Sequence, residues 1–563
     1  MTSTTTITEI DGIPVLLAAT SGPRRAGLMF RVGRADESLP TAGVTHLVEH
    51  LALHRHGAAN YHYNGTTSTT TTQFLIQGTA EAVVAFLNDV CANLRDLPIN
   101  RLADEKKIIQ TEAANRPTSV DHLIPLWRHG ARDFGLVTYP EWGMHTLTPE
   151  QVTDWAATRF NRGNVVLWIA GDQIPAGLKL DLPDGKRWAL PAESSAVPIM
   201  PSYFTNSTPM VVLDAQMPRT APATVYVRAL ERALFRELRQ HRGLSYMAAA
   251  AYGTDGRERA TVTAIADAQP DQLDSVVEHF IAEVHKLQDH DIDPAELDAI
   301  LALELEKATT AEVEADLLPR RATDLLTGFP LRTTTELLQD LQETSVGDLR
   351  LIAHAVKESA LLMVPDGLAR PPAGYEPAPS FSRYSVTGKR HRSRADHQAI
   401  LIHGPEGVSL ITPPGPSTVP FESCAVLLRW PDGARHLIGA DGIGVRIEPT
   451  LFAITSSALT QIDNAVESTL IVDMPPREPA SIPRPSRITA TRNRLQHLML
   501  PWRARLNRRV ALHGGMGPFL ISTALVVTTI AAGILALALP CLGSAAIVGV
   551  AILLWRRRNL GHW

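Results

Sequence analysis

The sequence predicts an α+β fold made of two copies of one unit, each an antiparallel sheet with helices on one side, followed by a small all-β module and an apolar helical hairpin. Strand-like and helix-like segments recur in the same order in residues 1–195 and 200–370. Short strand-like runs separated by turns come next, and the last part contains long uncharged stretches. A chain of 563 residues is long enough for such a multidomain arrangement.

The first unit, residues 1–195, combines short strands with amphipathic helices. Its predicted strands cover 13–19, 28–32, 73–77 and 164–170. Its predicted helices cover 41–56, 80–97, 101–115 and 149–160.

The second unit, residues 200–370, repeats this order. Its predicted strands cover 210–213, 260–266 and 360–364, and its predicted helices cover 223–241, 272–288, 294–311 and 346–356. The final segments of the two units also read alike, "TLTPEQVTDWAATRFNRGNVVLWIAGD" in the first and "ETSVGDLRLIAHAVKESALLMVPDG" in the second. This similarity indicates an internal duplication.

A Pro-rich, charged linker at 371–395 is predicted to separate the second unit from the all-β module. Residues 396–475 carry short strand-like runs at regular intervals, with "PDG" and "ADG" turns between them. This pattern predicts a barrel-like module.

The segment 518–556 is predicted to be a transmembrane hairpin. No charged residue occurs from Phe519 to Trp555, and Pro540 with Gly543 divides the run into two stretches of nearly membrane-spanning length. Arginines flank both ends, which places both ends in the cytoplasm. We therefore expect a multi-pass anchor in the cell membrane, with the N-terminal domains cytoplasmic. The alternative is a buried helical pair in a soluble domain.

The segment 480–517 lacks acidic residues from Ser481 onwards and is rich in arginine. Such a juxtamembrane segment binds anionic lipid, although a solvated linker is the simpler alternative. The net charge of -5 gives no general basic field, so no nucleic-acid partner is expected. Three widely separated cysteines predict neither a disulfide framework nor a cysteine zinc site.

The sequence "THLVEHLALHRHG" holds the residues most suggestive of chemistry. His46 and His50 are four residues apart, so on a helix they project from one face and can bind one metal ion. Glu49 lies beside them, where it can accept a proton from water. A third ligand is needed to complete a zinc site.

Two downstream acids, Glu105 and Glu112, are seven residues apart in "DEKKIIQTEAANR" and share one face of a helix. Ile108 and Ile109 lie on that side, so we expect the face to point into the protein, where a carboxylate requires a partner such as a metal. Without the upstream motif, a solvated acid would be the better interpretation of Glu112.

These motifs resemble those of the M16 family of metallopeptidases. The segment "VGRADESLPTAGVTHLVEHLALHRHG" is similar to the family's zinc-helix region, and "EKKIIQTE" to its distal-ligand segment. The resemblance implies that His46, His50 and Glu112 bind Zn²⁺, that Glu105 supports them, and that Glu49 is the catalytic base. It also places Asn64, in "YNGTTSTTTTQFLIQG", at the family's active-site asparagine, in front of an edge strand where a peptide substrate adds.

In the second unit, "LFRELRQHRGLSYMAAAAY" resembles the family segment that contacts the substrate carbonyl. This resemblance assigns that role to Arg239 and Tyr246. The sequence departs from the family in one respect: the interval between His50 and Glu112 is shorter than is usual for M16 members. The missing residues belong near 57–63, where most members carry an additional helix.

We therefore expect a membrane-tethered zinc endopeptidase that cleaves short unfolded peptides or processes a precursor peptide. Because the chain has only two such units, we expect a homodimer, or a pair with another M16-like chain, in which Arg239 and Tyr246 serve the partner's zinc. One alternative is a non-catalytic M16-like subunit that binds peptides or partners. Another is a membrane-tethered adaptor whose β module is the working part.

Overall fold

A computed structural model describes residues 5–54, 62–115, 119–289, 292–396 and 398–485. The predicted hairpin at 518–556, almost all of the arginine-rich segment 480–517, and most of the shortened region near 57–63 lie outside these residues. No helix in the described ranges has both the length and the apolar character that a membrane span requires.

The described part of the first unit contains a six-stranded sheet and five α-helices. Its strands are β1 (Thr6–Ile10), β2 (Ile13–Ala18), β3 (Arg25–Phe30), β4 (His62–Thr67), β5 (Thr72–Gln77) and β6 (Val165–Ala170). Its helices are α1 (Val44–Leu53), α2 (Ala80–Arg95), α3 (Leu102–Asn115), α4 (Ile124–His129) and α5 (Pro149–Arg159).

The strands follow the order β1-β2-β6-β3-β5-β4, which leaves β4 at one edge. The expectation of a purely antiparallel sheet is wrong, because β2 and β6 run parallel. A long helical connection separates these two strands in sequence, and such a connection permits parallel pairing. The polar strand β1, which pairs with β2, was not predicted.

The second unit has its own six-stranded sheet. Its strands are β7 (Ser202–Asn206), β8 (Met210–Pro218), β9 (Ala248–Gly253), β10 (Arg259–Asp267), β11 (Leu361–Pro365) and β12 (Glu376–Pro377). Its helices are α6 (Ala221–Leu234), which continues as a π-helical segment (Phe235–His241), α7 (Leu273–Asp289), α8 (Pro294–Ala308), α9 (Val313–Thr327), α10 (Thr334–Gln342) and α11 (Val346–Ser359).

Five strands of each sheet share one topology. The second sheet has the order β12-β7-β11-β8-β10-β9, so β7 to β11 repeat the places of β2 to β6 in the first sheet, and β7 and β11 run parallel as β2 and β6 do. The remaining edge strands differ, because β12 pairs parallel with β7 whereas β1 pairs antiparallel with β2. The α+β fold inferred from the repeated segment order is therefore confirmed.

Helices cover both faces of each sheet, which corrects the expectation of helices on one side only. Strand β6 is buried at every residue, so both of its faces need apolar cover. Helix α9 of the second unit supplies part of that cover on the first sheet, through Leu318 and Ala322 against Leu16 and Trp168. The packing is reciprocal, because α4 of the first unit packs on the second sheet, where Trp127 stacks on Phe204.

The region predicted as a linker, 371–395, contains two strands. One is β12, which pairs with β7 at the sheet edge, where Pro377 needs no backbone donor. The other is β13 (Lys389–Arg392), which belongs to the following module. A proline-rich composition is therefore compatible here with edge strands.

The expectation of an all-β module at 396–475 is wrong, because its described residues include helix α12. Together with β13, which precedes residue 396, they form two four-stranded sheets. The remaining strands are β14 (Ile400–His403), β15 (Gly407–Thr412), β16 (Gly415–Pro420), β17 (Cys424–Arg429), β18 (Arg435–Gly439), β19 (Gly444–Ile447) and β20 (Ile471–Asp473). Helix α12 (Ser456–Ala465) begins at a Thr455 cap and buries Leu459 and Ile462 in the shared core.

Candidate metal centre

Helix α1 carries the HxxEH residues and is held firmly at its N-terminus. Gly43 precedes the helix with a φ of 95°, which favours glycine. The carboxylate of Glu37 accepts hydrogen bonds from the backbone N–H groups of Gly43 (2.8 Å) and Thr45 (2.9 Å). Burial raises the pKa of Glu37 to about 7, although these bonds oppose the shift. Eight of the ten residues of α1 are buried, so its position is fixed by packing.

His46, His50 and Glu112 come together at one face of α1. Their potential ligand atoms all lie within 4.8 Å of one another. Oε2 of Glu112 is 3.6 Å from Nε2 of His46 and 3.7 Å from Nε2 of His50. The imidazole rings are 4.7 Å apart. The i, i+4 spacing accounts for the two histidines, and the packing of α3 beside α1 supplies the acid.

Helix α3 differs from the expected inward-facing arrangement. Glu105 is buried, as is Ile109, but the Glu112 side chain is 45% exposed and Ile108 faces solvent. The C-terminal half of α3 therefore leaves the core, so that Glu112 reaches the histidines from the open side of the cleft.

A second carboxylate bonds the far nitrogen of each histidine. Nδ1 of His46 lies 3.1 Å from Oε1 of Glu141, and Nδ1 of His50 lies 3.3 Å from Oε2 of Glu105. A carboxylate only accepts, so these contacts favour a proton on each Nδ1, and in the neutral imidazole this leaves Nε2, the nitrogen nearer Glu112, as the metal-binding atom. Such partners orient metal-binding histidines, and a two-imidazole, one-carboxylate donor set is one that zinc uses. The residues therefore fit a zinc ion.

The two histidines differ in proton affinity. Burial acts to lower the pKa of His46, but the hydrogen bond and charge of Glu141, with Glu49 and Glu112, raise it above its ordinary value. Burial and the neighbouring His46 lower the pKa of His50, although Glu105 opposes this shift. A neutral imidazole is the form that binds a metal.

Glu49 lies in the same cleft and is 5% exposed. Burial raises its pKa to about 7, and His46 opposes the shift. Thr67 Oγ1 donates a hydrogen bond to Oε2 of Glu49 over 3.3 Å. This carboxyl group can therefore change protonation near neutral pH, which suits a proton-transfer role.

The cleft has a volume of about 610 Å³ and is lined by α1, α3 and β4. Asn64 is exposed on β4 and lines the cleft, as does His54, which the sequence indicated as a polar surface residue. Strand β4 pairs only with β5 among the described residues and is a sheet edge. An extended chain can add to such an edge by main-chain hydrogen bonds.

Arg239 and Tyr246 lie together in the second unit but do not line this cleft. The guanidinium of Arg239 is 4.9 Å from the centre of the Tyr246 ring, and Tyr246 is 77% exposed. The described residues therefore place this pair on the surface, apart from His46, His50 and Glu112. Their assigned role stays a prediction.

Sequence reasoning missed Glu141, Gly65 and Thr67. Glu141 is 95 residues from His46 along the chain and belongs to no motif. Gly65 and Thr67 lie inside the segment compared with the family strand, but nothing in their spacing singles them out.

Comparison with known proteins supports the resemblance. Residues 208–303 match the family described as Peptidase M16 inactive domain. A comparison with curated proteins gave no significant match. The fold is shared with a Helicobacter pylori protease, at a TM-score of 0.54 and 16% identity over 65% of this chain and 100% of that one.

Two further solved structures are similar. The first half of the periplasmic protease PqqL from Escherichia coli has a TM-score of 0.52 and 14% identity, over 64% of this chain and 91% of that one. A peptidase M16 inactive domain from Pseudomonas fluorescens has a TM-score of 0.52 and 14% identity, over 65% and 100%. The resemblance is thus confirmed to this extent: residues 208–303 match the M16 inactive domain, and the chain shares its fold with two solved proteases and with a solved peptidase M16 inactive domain.

Proposed function

We propose that the chain is a zinc-dependent endopeptidase that hydrolyses short unfolded peptides or processes a precursor peptide. The observation that carries the proposal is the convergence of His46, His50 and Glu112, whose potential ligand atoms lie within 4.8 Å of one another beside Glu49. Three protein ligands and an open side are the arrangement of catalytic rather than structural zinc.

The proposed roles follow from the geometry. A zinc ion held by these three side chains would supply Lewis-acid chemistry, by polarising a peptide carbonyl and making water more acidic. Glu49 accepts the proton of the attacking water, because its buried carboxylate faces the same cleft. It then delivers that proton to the leaving amine. Glu105 and Glu141 keep the imidazoles in the tautomer that binds metal.

Substrate binding is assigned to the edge strand β4. A peptide that adds alongside β4 passes in front of Glu49, since Gly65, Thr66 and Thr67 line the same cleft. Asn64 is exposed there and can bond the peptide backbone. Main-chain pairing requires an extended, unfolded substrate.

A non-catalytic M16-like subunit is the second candidate, and the description of the matched family as inactive favours it. That match covers 208–303, in the second unit, whereas the histidine cluster belongs to the first unit. The first unit keeps the base and all three ligands. We therefore retain the peptidase as the better proposal.

Metal analysis and peptide turnover separate the two candidates. We expect about one zinc per chain and cleavage of an unstructured peptide by the wild type. His50→Ala should lose the zinc, and Glu49→Gln should keep it while turnover falls by about two orders of magnitude or more. Wild-type protein without zinc, or full turnover by Glu49→Gln, would exclude the mechanism.

We further propose that the 518–556 hairpin tethers the peptidase units to the cytoplasmic side of the cell membrane, on the basis of its uncharged run and flanking arginines. Full-length protein should resist alkaline carbonate extraction, whereas a chain that ends at residue 484 should be released. Extraction of both forms would contradict the proposal.

A further inference from the structure

One sheet of the module at 396–475, with the strand order β19-β18-β17-β20, packs against the first unit. Four of its apolar residues, each at most 3% exposed, form one cluster with first-unit residues: Val426, Leu428, Ile438 and Val472. We call these four residues the docking face. Leu427, between two of them on β17, belongs instead to the module's own core, because successive side chains of a strand point to opposite sides. The first unit therefore covers one side of this sheet.

The docking face contacts the segment that carries Glu141. Tyr139 and Trp142 pack against the cluster that contains the docking face. Strand β20 also contacts the short 3₁₀ helix Trp142–His145. Glu141 lies between the two aromatic residues in the chain, and its Oε1 is 3.1 Å from Nδ1 of His46. The module therefore supports the residues on both sides of the His46 partner.

The docking face also contacts the segment that leads into α1. Leu39 belongs to the same cluster, and β17 contacts the 3₁₀ helix that begins at this residue. Just beyond that helix, the backbone C=O of Ala42 accepts a hydrogen bond from the N–H of Gly143 over 3.1 Å. The module thus contacts both of the segments whose relative position sets the bond between Glu141 and His46.

The module also approaches the first unit closely at the backbone. The N–H of Ala131 donates to the C=O of Ala440 over 3.1 Å. Gly130 has a φ of 77°, and a β-carbon there would overlap that same carbonyl oxygen. At Gly442, a β-carbon would be only 2.8 Å from Cδ1 of Leu126. These contacts fix where the module lies on the first unit.

Glu141 depends on such support more than Glu105 does. Glu105 is on helix α3, whereas Glu141 lies between the 3₁₀ helices Asp133–Thr138 and Trp142–His145 and belongs to no α-helix or strand of the described chain. Segments of this kind lack a continuous ladder of hydrogen bonds, so the packing of the flanking residues decides where the side chain is held. Carboxylates that orient metal-binding histidines change metal affinity by about ten- to a hundredfold.

We propose that the module at 396–475 positions Glu141, and through it His46, for metal binding, with Val472 of the docking face as a positioning residue. The module contributes none of the residues that line the cleft, so its action on the metal is indirect. The inference rests on the proposed zinc function, because it concerns the same metal centre.

Two matched variants of the full-length protein test the proposal. Val472→Ala and Val445→Ala remove the same two methyl groups from residues that are 0% exposed, on the two outer strands of one sheet. Val472 belongs to the docking face, whereas Val445 belongs to the module's own core. Zinc affinity is measured by competition with a chromogenic chelator. We expect Val472→Ala to bind zinc about threefold or more weakly than the wild type. Val445→Ala should bind zinc as the wild type does, although both changes destabilise folding. A loss in Val472→Ala that is no greater than in Val445→Ala would overturn the proposal.

A double-mutant cycle tests whether Val472 acts through Glu141. Adding Val472→Ala to Glu141→Ala should lower zinc affinity by less than twofold further, because the side chain that Val472 positions is already absent. The same fold-loss in both backgrounds would show that Val472 acts by another route, which would also overturn the proposal. Wild-type protein that binds no zinc would reject the zinc site and this inference together. Zinc binding by the wild type, with independent losses in the cycle, would reject this inference alone.

Discussion

The carboxylate of Glu49 lies directly against the backbone of Gly65. A β-carbon at residue 65 would be only 2.2 Å from Oε1 of Glu49, which is closer than real atoms approach. Strand β4 therefore passes over α1 at residue 65, and glycine is the one residue type that leaves room there for Glu49, the proposed base. The glycine is needed for space and not for a special backbone angle.

We predict that Gly65→Ala lowers peptide hydrolysis by about tenfold or more, because a displaced base loses its alignment. Zinc content should stay near that of the wild type, since the ligands are on α1 and α3. Turnover and metal content are measured on the same preparation. Gly347→Ala is the control, because a β-carbon there meets nothing nearer than 3.6 Å. Wild-type turnover in Gly65→Ala would remove this constraint on Glu49.

The second prediction concerns the partner of His46. Glu141→Ala removes the carboxylate that receives the Nδ1 proton of His46, so zinc affinity should fall by about ten- to a hundredfold. Competition with a chromogenic chelator measures the affinity. Glu150→Ala, an exposed acid on α5, should bind zinc as the wild type does. Equal affinity in the two variants would mean that Glu141 does not orient the ligand.

A third prediction concerns the hydrogen bonds between Thr5, which immediately precedes β1, and Glu314 on α9. Oε2 of Glu314 accepts hydrogen bonds from the backbone N–H of Thr5 over 2.9 Å and from Nη1 of Arg321 over 2.5 Å. Burial acts to raise the pKa of Glu314, but the bonds from Arg321, Thr334 and Thr5 outweigh it and lower the pKa to about 2. Because the folded pKa lies below the ordinary 4.5, the stabilisation is complete above pH 4.5 and is lost as the pH falls toward 2.

Glu314→Gln should therefore lower the urea midpoint of unfolding at pH 7 and, by the same amount, at pH 6. The difference in urea midpoint between Glu314→Gln and the wild type should become smaller once the pH falls below about 4.5. Glu306→Gln, an exposed change on α8, serves as the control and should have little effect. A difference that stays constant down to pH 3.5 would show that the Glu314 charge is not responsible.

The fourth prediction concerns a shared active site. The pair formed by Arg239 and Tyr246 does not line the metal cleft of its own chain, and Tyr246 is largely exposed. In a two-fold homodimer this pair can face the partner's cleft. Glu49→Gln and Tyr246→Phe chains, each nearly inactive, should recover part of the activity when mixed. No recovery, despite demonstrated subunit exchange, would argue that the site is built in another way.

Local sequence was sufficient for much of the fold and for part of the candidate site. The recurrence of strand and helix periods predicted the duplication, because those periods depend on neighbours a few residues apart. The four-residue spacing of His46 and His50 predicted their common face for the same reason. Glu105 and Glu112 were placed on one helix, but their different exposure depends on where α3 leaves the core.

Contacts between distant segments were decided by the tertiary structure alone. Three such contacts join segments that are separate in sequence. His46 bonds Glu141, Gly65 packs against Glu49, and α4 and α9 each pack on the sheet of the other unit. A fourth is the packing of the module at 396–475 against the segment that carries Glu141. The sequence by itself determined which residues share one face of a helix or of a strand, because this depends only on their spacing along the chain. Only close packing of the whole chain decided which of them meet, because such contacts depend on shape and burial and not on any local period.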